Sequence, residues 1–206
     1  MKEPFFLVPS EFEASALSGL DVKYGLTGIG LVEASLTSIL LFQKQPNQRF
    51  VLIGWAGGYP DTGLKEGDIV IASKEVWVDF GRCYKDRYEG LPDKLKVKRE
   101  IEFNPVLTER AENLLKAKGF RPVVGPMATV CATSYDPERS LFFRNQFNVI
   151  AENMEGFGVA KAAETFKVAL LEIRVISNLL DSPDKPWDFQ VASKVLREVV
   201  LCLKKL

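Results

Sequence analysis

The 206-residue chain contains no histidine. That removes the side chain most often used as a general base near neutral pH and the commonest metal ligand. Its three cysteines, Cys83, Cys131 and Cys202, lie far apart. No pair has the spacing of a zinc or iron site or of a disulfide framework, so no metal or other cofactor is expected. An excess of one charge is missing too. The 27 Lys+Arg cancel the 27 Asp+Glu, leaving no net field to gather nucleic acid or an anionic membrane as a partner. The one basic run, Lys94–Glu100, reads as a solvated loop or edge strand. No apolar run has the length of a membrane span. The N-terminal apolar stretch is short and ends in acids, unlike a secretory signal. The expected compartment is a reducing cytoplasm.

What is present is ordinary for a globular protein: 47% hydrophobic and 26% charged residues. One core grows comfortably to this length, so residues 1–206 are expected to form a single domain. Pro4–Pro9 encloses a short apolar strand, and Ser10 with Glu13 forms a capping-box pattern at the start of a helix. In Gly30–Lys44, the apolar Leu31, Val32, Leu36, Ile39 and Leu40 have helical spacing. Arg49–Gly58 reads as a strand ending in a glycine turn, and Gly67–Gly81 as one long β-branched strand. Asn104 and Pro105 mark the start of a helix to Lys118. Phe120–Thr133 is strand-like, Asp136–Asn145 a short helix, Asn148–Ala151 a strand and Glu155–Phe166 a helix. Val168–Ile176 reads as a buried strand and Trp187–Leu206 as a closing helix. This alternation predicts an α/β fold, a three-layer α/β/α sandwich around a mixed, largely parallel sheet. Asp79–Leu95, rich in aromatic and charged residues, is the most lid-like segment. Val76–Trp77–Val78 reads as core strand before interface.

The residues able to do chemistry cluster at the ends of these elements. Gly25–Ala34 places glycines between a strand and a helix, where backbone N–H groups can meet an anion or a polar ligand edge. A dinucleotide fingerprint fails there, because its third glycine falls on Glu33. Gly57 and Gly58 follow an apolar strand, and serve either a close backbone approach or a turn. Glu155 stands near a helix N-terminus, where an acid is favourable for dipole reasons alone. Its carboxylate can equally accept two parallel hydrogen bonds from vicinal hydroxyls such as a ribose diol. Met154 offers an adaptable apolar face for a sugar ring, and Gly156 and Gly158 leave room for a ligand. Asn178, at a strand's carboxyl end, presents a donor and an acceptor where open α/β sheets collect ligands; turn chemistry alone would also place an Asn there. Glu172 and Arg174, two apart, point to one face of a buried strand and require partners.

Taken together, the ordered motifs "TGIG", "GWAGG", "LKEGDIVIAS", "NMEGFGVA" and "RVISN" resemble the purine nucleoside phosphorylase/nucleosidase superfamily along nearly the whole chain. The resemblance implies that fold, a nucleoside substrate and a homo-oligomer. Leu52 and Trp55 stand where the phosphorylases hold phosphate, and neither binds an anion, so water becomes the nucleophile. The resemblance places Glu13 as the acid that activates water, Met154 and Glu155 on the ribose, and Ser177, Arg174 and Asn178 on the base. Tyr135 falls near a stacking aromatic, Gly57 in the substrate cleft, and Asp181 is a candidate for protonating the leaving base. Where methylthioadenosine/adenosylhomocysteine nucleosidases end the last motif in Ser-Asp, this chain has Ser177-Asn178. That pairing is most similar to the futalosine hydrolases, which release hypoxanthine from futalosine on a route to menaquinone. The loop before Trp187 departs from that family's arginine-bearing pattern, which bears on the 5′ substituent. Another purine ribonucleosidase, or a non-catalytic nucleoside-binding module, are the alternative readings.

Overall fold

The structure, a computed structural model, describes residues 3–84 and 87–206. β1 (Phe5–Val8) lies between β2 (Lys23–Leu26) and β3 (Phe50–Gly58), all three parallel. The second half of β3 runs beyond β1, and there Gly57 and Gly58 pair antiparallel with β9 (Ala151–Asn153). From β9 the sheet continues in parallel through β8 (Val123–Thr129) to β4 (Ile69–Trp77), with β7 (Glu100–Glu102) added antiparallel to β4. β10 (Leu170–Leu179) pairs with β4 on one edge and with the full length of β3 on the other. Strands β3, β9, β8, β4 and β10 thus close into a ring, and β1 and β2 extend from it. A two-residue ribbon, β5 (Arg82–Cys83) with β6 (Tyr88–Glu89), lies apart.

Six helices complete the described fold: α1 (Glu11–Ala14), α2 (Leu31–Lys44), α3 (Pro105–Lys116), α4 (Pro137–Phe147), α5 (Gly156–Phe166) and α6 (Phe189–Leu203). Their starts are written in the sequence. Asn104, Asp136 and Asp188 accept backbone N–H bonds as N-caps, and proline opens α3 and α4 where no N–H is needed. Strand alternation sorts the core onto two faces. Phe5, Leu7, Phe50 and Leu52 pack with α2 and α5, whereas Phe6, Val8, Val51 and Ile53 pack with α6 and α3. The three-layer α/β/α sandwich and mixed sheet expected from the sequence are present, with closure into a ring as the addition.

Several expected boundaries differ, each for a stated reason. Gly57 and Gly58 are not a turn, because strands on both sides supply them with ladder partners. β10 runs past Asn178, which pairs with Gly57 after a register shift beyond Ile176. The strand expected at Asn148–Ala151 is Ala151–Asn153, since Asn148 sits in the left-handed region and ends α4. The Asp79–Leu95 segment, described except for residues 85 and 86, does not line the cleft presented below. Its Tyr88 packs instead on Phe142 and Phe143 of α4. Val76 and Val78 are buried core residues.

Candidate active site

A cleft of about 340 Å³ opens at the carboxyl ends of β1, β3 and β10, with walls from the residues after β8 and β9. Glu13 enters it from the single turn of α1. Ser10 caps that turn, accepting the Glu13 N–H (3.2 Å) while its hydroxyl donates to Glu13 Oε2 (2.7 Å). The other oxygen, Oε1, accepts the Trp55 N–H of β3 (3.0 Å). Ser10 and Glu13 therefore form only half of a reciprocal capping box, because the acid is turned toward β3. Glu13 is 6% exposed. Burial pushes its carboxyl above the ordinary range, and the Ser10 hydrogen bond and then Arg174 oppose that shift.

Glu155 sits at the junction of β9 and α5, without capping α5 itself. That task falls to Asn153, whose Oδ1 accepts the N–H groups of Glu155 (2.9 Å) and Gly156 (2.6 Å). Glu155 Oε1 accepts the Gly30 N–H at the start of α2 (3.1 Å), and Oε2 accepts Arg174 Nη1 (3.2 Å). The glycine loop expected to meet an anion thus meets a carboxylate of the protein. Each oxygen has a further accepting site, and Glu155 and Met154 both line the cleft.

Arg174 requires a correction. It was expected at the base, yet it is fully buried and absent from the cleft lining. Its guanidinium donates to Glu172 (2.9 Å), Glu155 (3.2 Å), Asn153 (3.2 Å) and the Trp55 carbonyl (3.4 Å). It therefore anchors carboxylates from beneath. Gly54 separates it from Glu13, since a Cβ there would lie 2.6 Å from Glu13 Oε1 and 2.7 Å from Arg174 Nη1. A second acid from β4, Glu75, joins this buried group and accepts Thr129 Oγ1 (2.6 Å) and Asn153 Nδ2 (2.7 Å). Burial and then the charge of Glu172 hold the Glu75 carboxyl well above the ordinary range. Gly156 makes room for this pair: a Cβ there would stand 2.3 Å from Glu75 Oε1 and 2.7 Å from Glu172 Oε1. Gly158 likewise lets α5 approach the Leu31 carbonyl of α2. Both glycines admit protein atoms, where a ligand was expected.

At the other end of the cleft stand Ser177 and Asn178, with Ser177 Oγ 2.9 Å from Asn178 Oδ1. Tyr135 lines the rim, exposed, with its hydroxyl donating to Asp184 (2.6 Å). Asp181 is exposed, accepts the Ser182 hydroxyl (3.0 Å) and does not line the cleft. The turn after β10 carries it outward, which removes the geometric basis for making it the acid at the base. Leu52 is core. Trp55 belongs to an aromatic wall with Phe12 and Phe189, at ring separations of 5.0 and 4.7 Å, and Trp187 extends it. Phe12 and Phe189 were not singled out from the sequence, since nothing in their spacing joins them.

Residues 8–206 match the Phosphorylase superfamily, and the chain belongs to that family. A 5′-methylthioadenosine/S-adenosylhomocysteine nucleosidase from Shewanella denitrificans is 32% identical over 190 residues, spanning 87% of this chain and 77% of the relative. A futalosine hydrolase from Thermus thermophilus is 30% identical over 186 residues, spanning 89% and 81%. Among solved structures, a futalosine hydrolase mutant from Helicobacter pylori superposes with a TM-score of 0.84 at 19% identity, covering 98% of each chain. The methylthioadenosine/adenosylhomocysteine nucleosidase of Campylobacter jejuni gives 0.84 at 21% identity, over 100% of each. At those identities the superpositions establish the fold. With the sequence relatives, the chain is an enzyme of the N-glycosyl hydrolase kind.

Proposed function

We propose that this enzyme hydrolyses the N-ribosidic bond of futalosine and releases hypoxanthine. The observation that carries the reading is Asn178, a half-buried amide in the cleft lining with its Oδ1 held by Ser177 and its NH₂ group left to donate. A neutral amide suits the carbonyl of a 6-oxopurine, where a carboxylic acid would suit protonation of an adenine nitrogen. In the proposed reaction the C–N bond breaks through an oxocarbenium-like state, as in O-glycoside hydrolysis. Glu155 holds the ribose hydroxyls, and its negative charge stabilises the positive charge growing on the ring. Met154 packs on the sugar. Glu13, buried beside Glu155, takes a proton from the attacking water. Arg174 fixes the Glu155 carboxylate from below and sets an opposing charge near Glu13, and solvent supplies the proton to the departing base. The second reading, a methylthioadenosine/adenosylhomocysteine nucleosidase, is favoured by the 32% identity to the Shewanella denitrificans relative.

The deciding experiment incubates the protein with futalosine, methylthioadenosine and inosine, each with and without phosphate, and follows the free base by chromatography. Phosphate-independent release of hypoxanthine from futalosine, faster than from inosine, is the expected result. Preference for methylthioadenosine would establish the second reading, and strict phosphate dependence would overturn hydrolysis altogether.

A homo-oligomer belongs to the same proposal. Val32, Leu36 and Leu40 form an exposed apolar stripe along α2, continued by Ile29 at the mouth of the cleft. Sedimentation velocity should give a multiple of the 23.1 kDa chain mass; a purely monomeric species would remove this part.

A further inference from the structure

The first turn of α5 carries Glu155, and its backbone N–H groups have no acceptor within the helix. Side chains from two strands supply them. Asn153 Oδ1 of β9 accepts the N–H groups of Glu155 (2.9 Å) and Gly156 (2.6 Å). Thr129 Oγ1 of β8 accepts the N–H of Phe157 (2.7 Å). Three successive N–H groups are thus held by one amide oxygen and one hydroxyl.

Neither acceptor is fixed by its own covalent shape. An Asn amide turned end for end presents NH₂ where its oxygen stood, and a hydroxyl rotates freely. One residue of β4 sets both. Glu75 Oε1 accepts Asn153 Nδ2 (2.7 Å), which leaves Oδ1 facing α5, with the Ala128 carbonyl a longer second acceptor (3.3 Å). Glu75 Oε2 accepts the Thr129 hydroxyl (2.6 Å), which leaves a Thr129 lone pair for Phe157. The same Asn153 oxygen takes Arg174 Nη2 (3.2 Å), while Arg174 Nη1 holds Glu155 Oε2 (3.2 Å). A reversed Asn153 would set its NH₂ group against two N–H groups and the guanidinium at once. Glu75 and Thr129 are fully buried, and neither lines the cleft.

We propose that Glu75 is a positioning residue of the reaction, locking Asn153 and Thr129 as acceptors beneath α5 and so holding the Glu155 carboxylate in place at the ribose. The assignment rests on the reading above that puts Glu155 on the ribose hydroxyls, and it is indifferent to the base. An acid that only filled the core would affect every substrate alike. An acid that acts through Glu155 affects most those substrates whose hydroxyls Glu155 holds.

The test uses the full chain with futalosine, inosine and methylthioadenosine, each beside its 2′-deoxy counterpart. The pair that the wild type turns over fastest is carried forward, whatever its base. The 2′-deoxy member should show the higher KM in the wild type. Equal KM values would take Glu155 off the ribose and remove the reading beneath the assignment. Glu75→Leu deprives both acceptors of their orienting partner. It should cost the ribonucleoside roughly 10- to 100-fold more in kcat/KM than its 2′-deoxy counterpart, the worth of a hydrogen bond to a charged group. Glu75→Gln keeps one oxygen for the Asn153 NH₂ group and should restore the larger part of that selectivity. Thr129→Val removes only the Phe157 acceptor, and should shift the same ratio in the same direction by a smaller factor. These two variants carry the test if Glu75→Leu does not fold. Equal losses on both members of the pair, in Glu75→Leu or in Thr129→Val, overturn the assignment. So does a Gln variant that loses the selectivity completely.

Discussion

Glu13→Gln is expected to lower kcat for base release by about 10²–10⁴-fold, with a much smaller change in KM. The substitution keeps the size of the side chain and one oxygen to accept the Trp55 N–H, while the amide NH₂ that replaces Oε2 can donate to the Ser10 hydroxyl. What disappears is the ability to take a proton from water. The pH profile supplies an independent readout. Burial raises the Glu13 carboxyl above the ordinary range, and only its unprotonated form acts as base. The wild-type rate should therefore fall as pH drops through that raised value, and this acid limb should be missing from the variant. A variant that keeps its rate within a few-fold, with the limb intact, would remove Glu13 from the chemistry.

Arg174→Met is expected to act first on stability, with a loss of about 3–5 kcal/mol at neutral pH. Methionine replaces much of the volume but leaves Glu155 and Glu172 without their cation, and it deprives Glu13 of an opposing charge. The Glu13 and Glu172 carboxyls, already raised by burial, should then titrate higher still in the folded protein than in the unfolded chain. The folded state of the variant consequently binds more protons across that window, and its stability falls as pH rises through it. The deficit should be largest at mildly basic pH and shrink toward the ordinary carboxyl range. Denaturant unfolding of both proteins at mildly acidic and mildly basic pH would show this. A deficit independent of pH would mean that lost packing, and not unpaired charge, explains the cost.

The sequence made the layers readable because strand alternation and helix caps are local signals. It also exposed Glu172 and Arg174, because two charged residues on one face of an apolar strand need partners. Their partners were less accessible. Glu75 and Asn153 are 78 residues apart and meet only after β4, β9 and β10 are in register. Gly156 and Gly158 looked like space for a ligand, since a sequence shows that a side chain is missing but not what occupies the gap. Glu152, a buried acid in the cleft lining, was not singled out either. Its relation to Asn178 is a row across three strands, and register is not a local property. Asp181 was placed too near the base because a short distance along the chain says nothing of which way a turn leaves the sheet.

The ring of strands also sets an order on the making of the molecule. β10 lies between β3 and β4, and it begins at Leu170. A nascent chain that has not yet reached that point lacks the strand that joins these two, and the facing edges of β3 and β4 carry unsatisfied backbone groups along apolar strands. It also lacks Arg174, the cation on which the acids already synthesised depend. Such an intermediate is open, sticky and electrostatically incomplete, and it invites pairing with another copy before its own last strand arrives. Closure, charge neutralisation and delivery of Asn178 to the cleft are all carried by one ten-residue segment. Until Leu179 has emerged, the sheet lacks its closing strand, its buried cation and the amide of its cleft together.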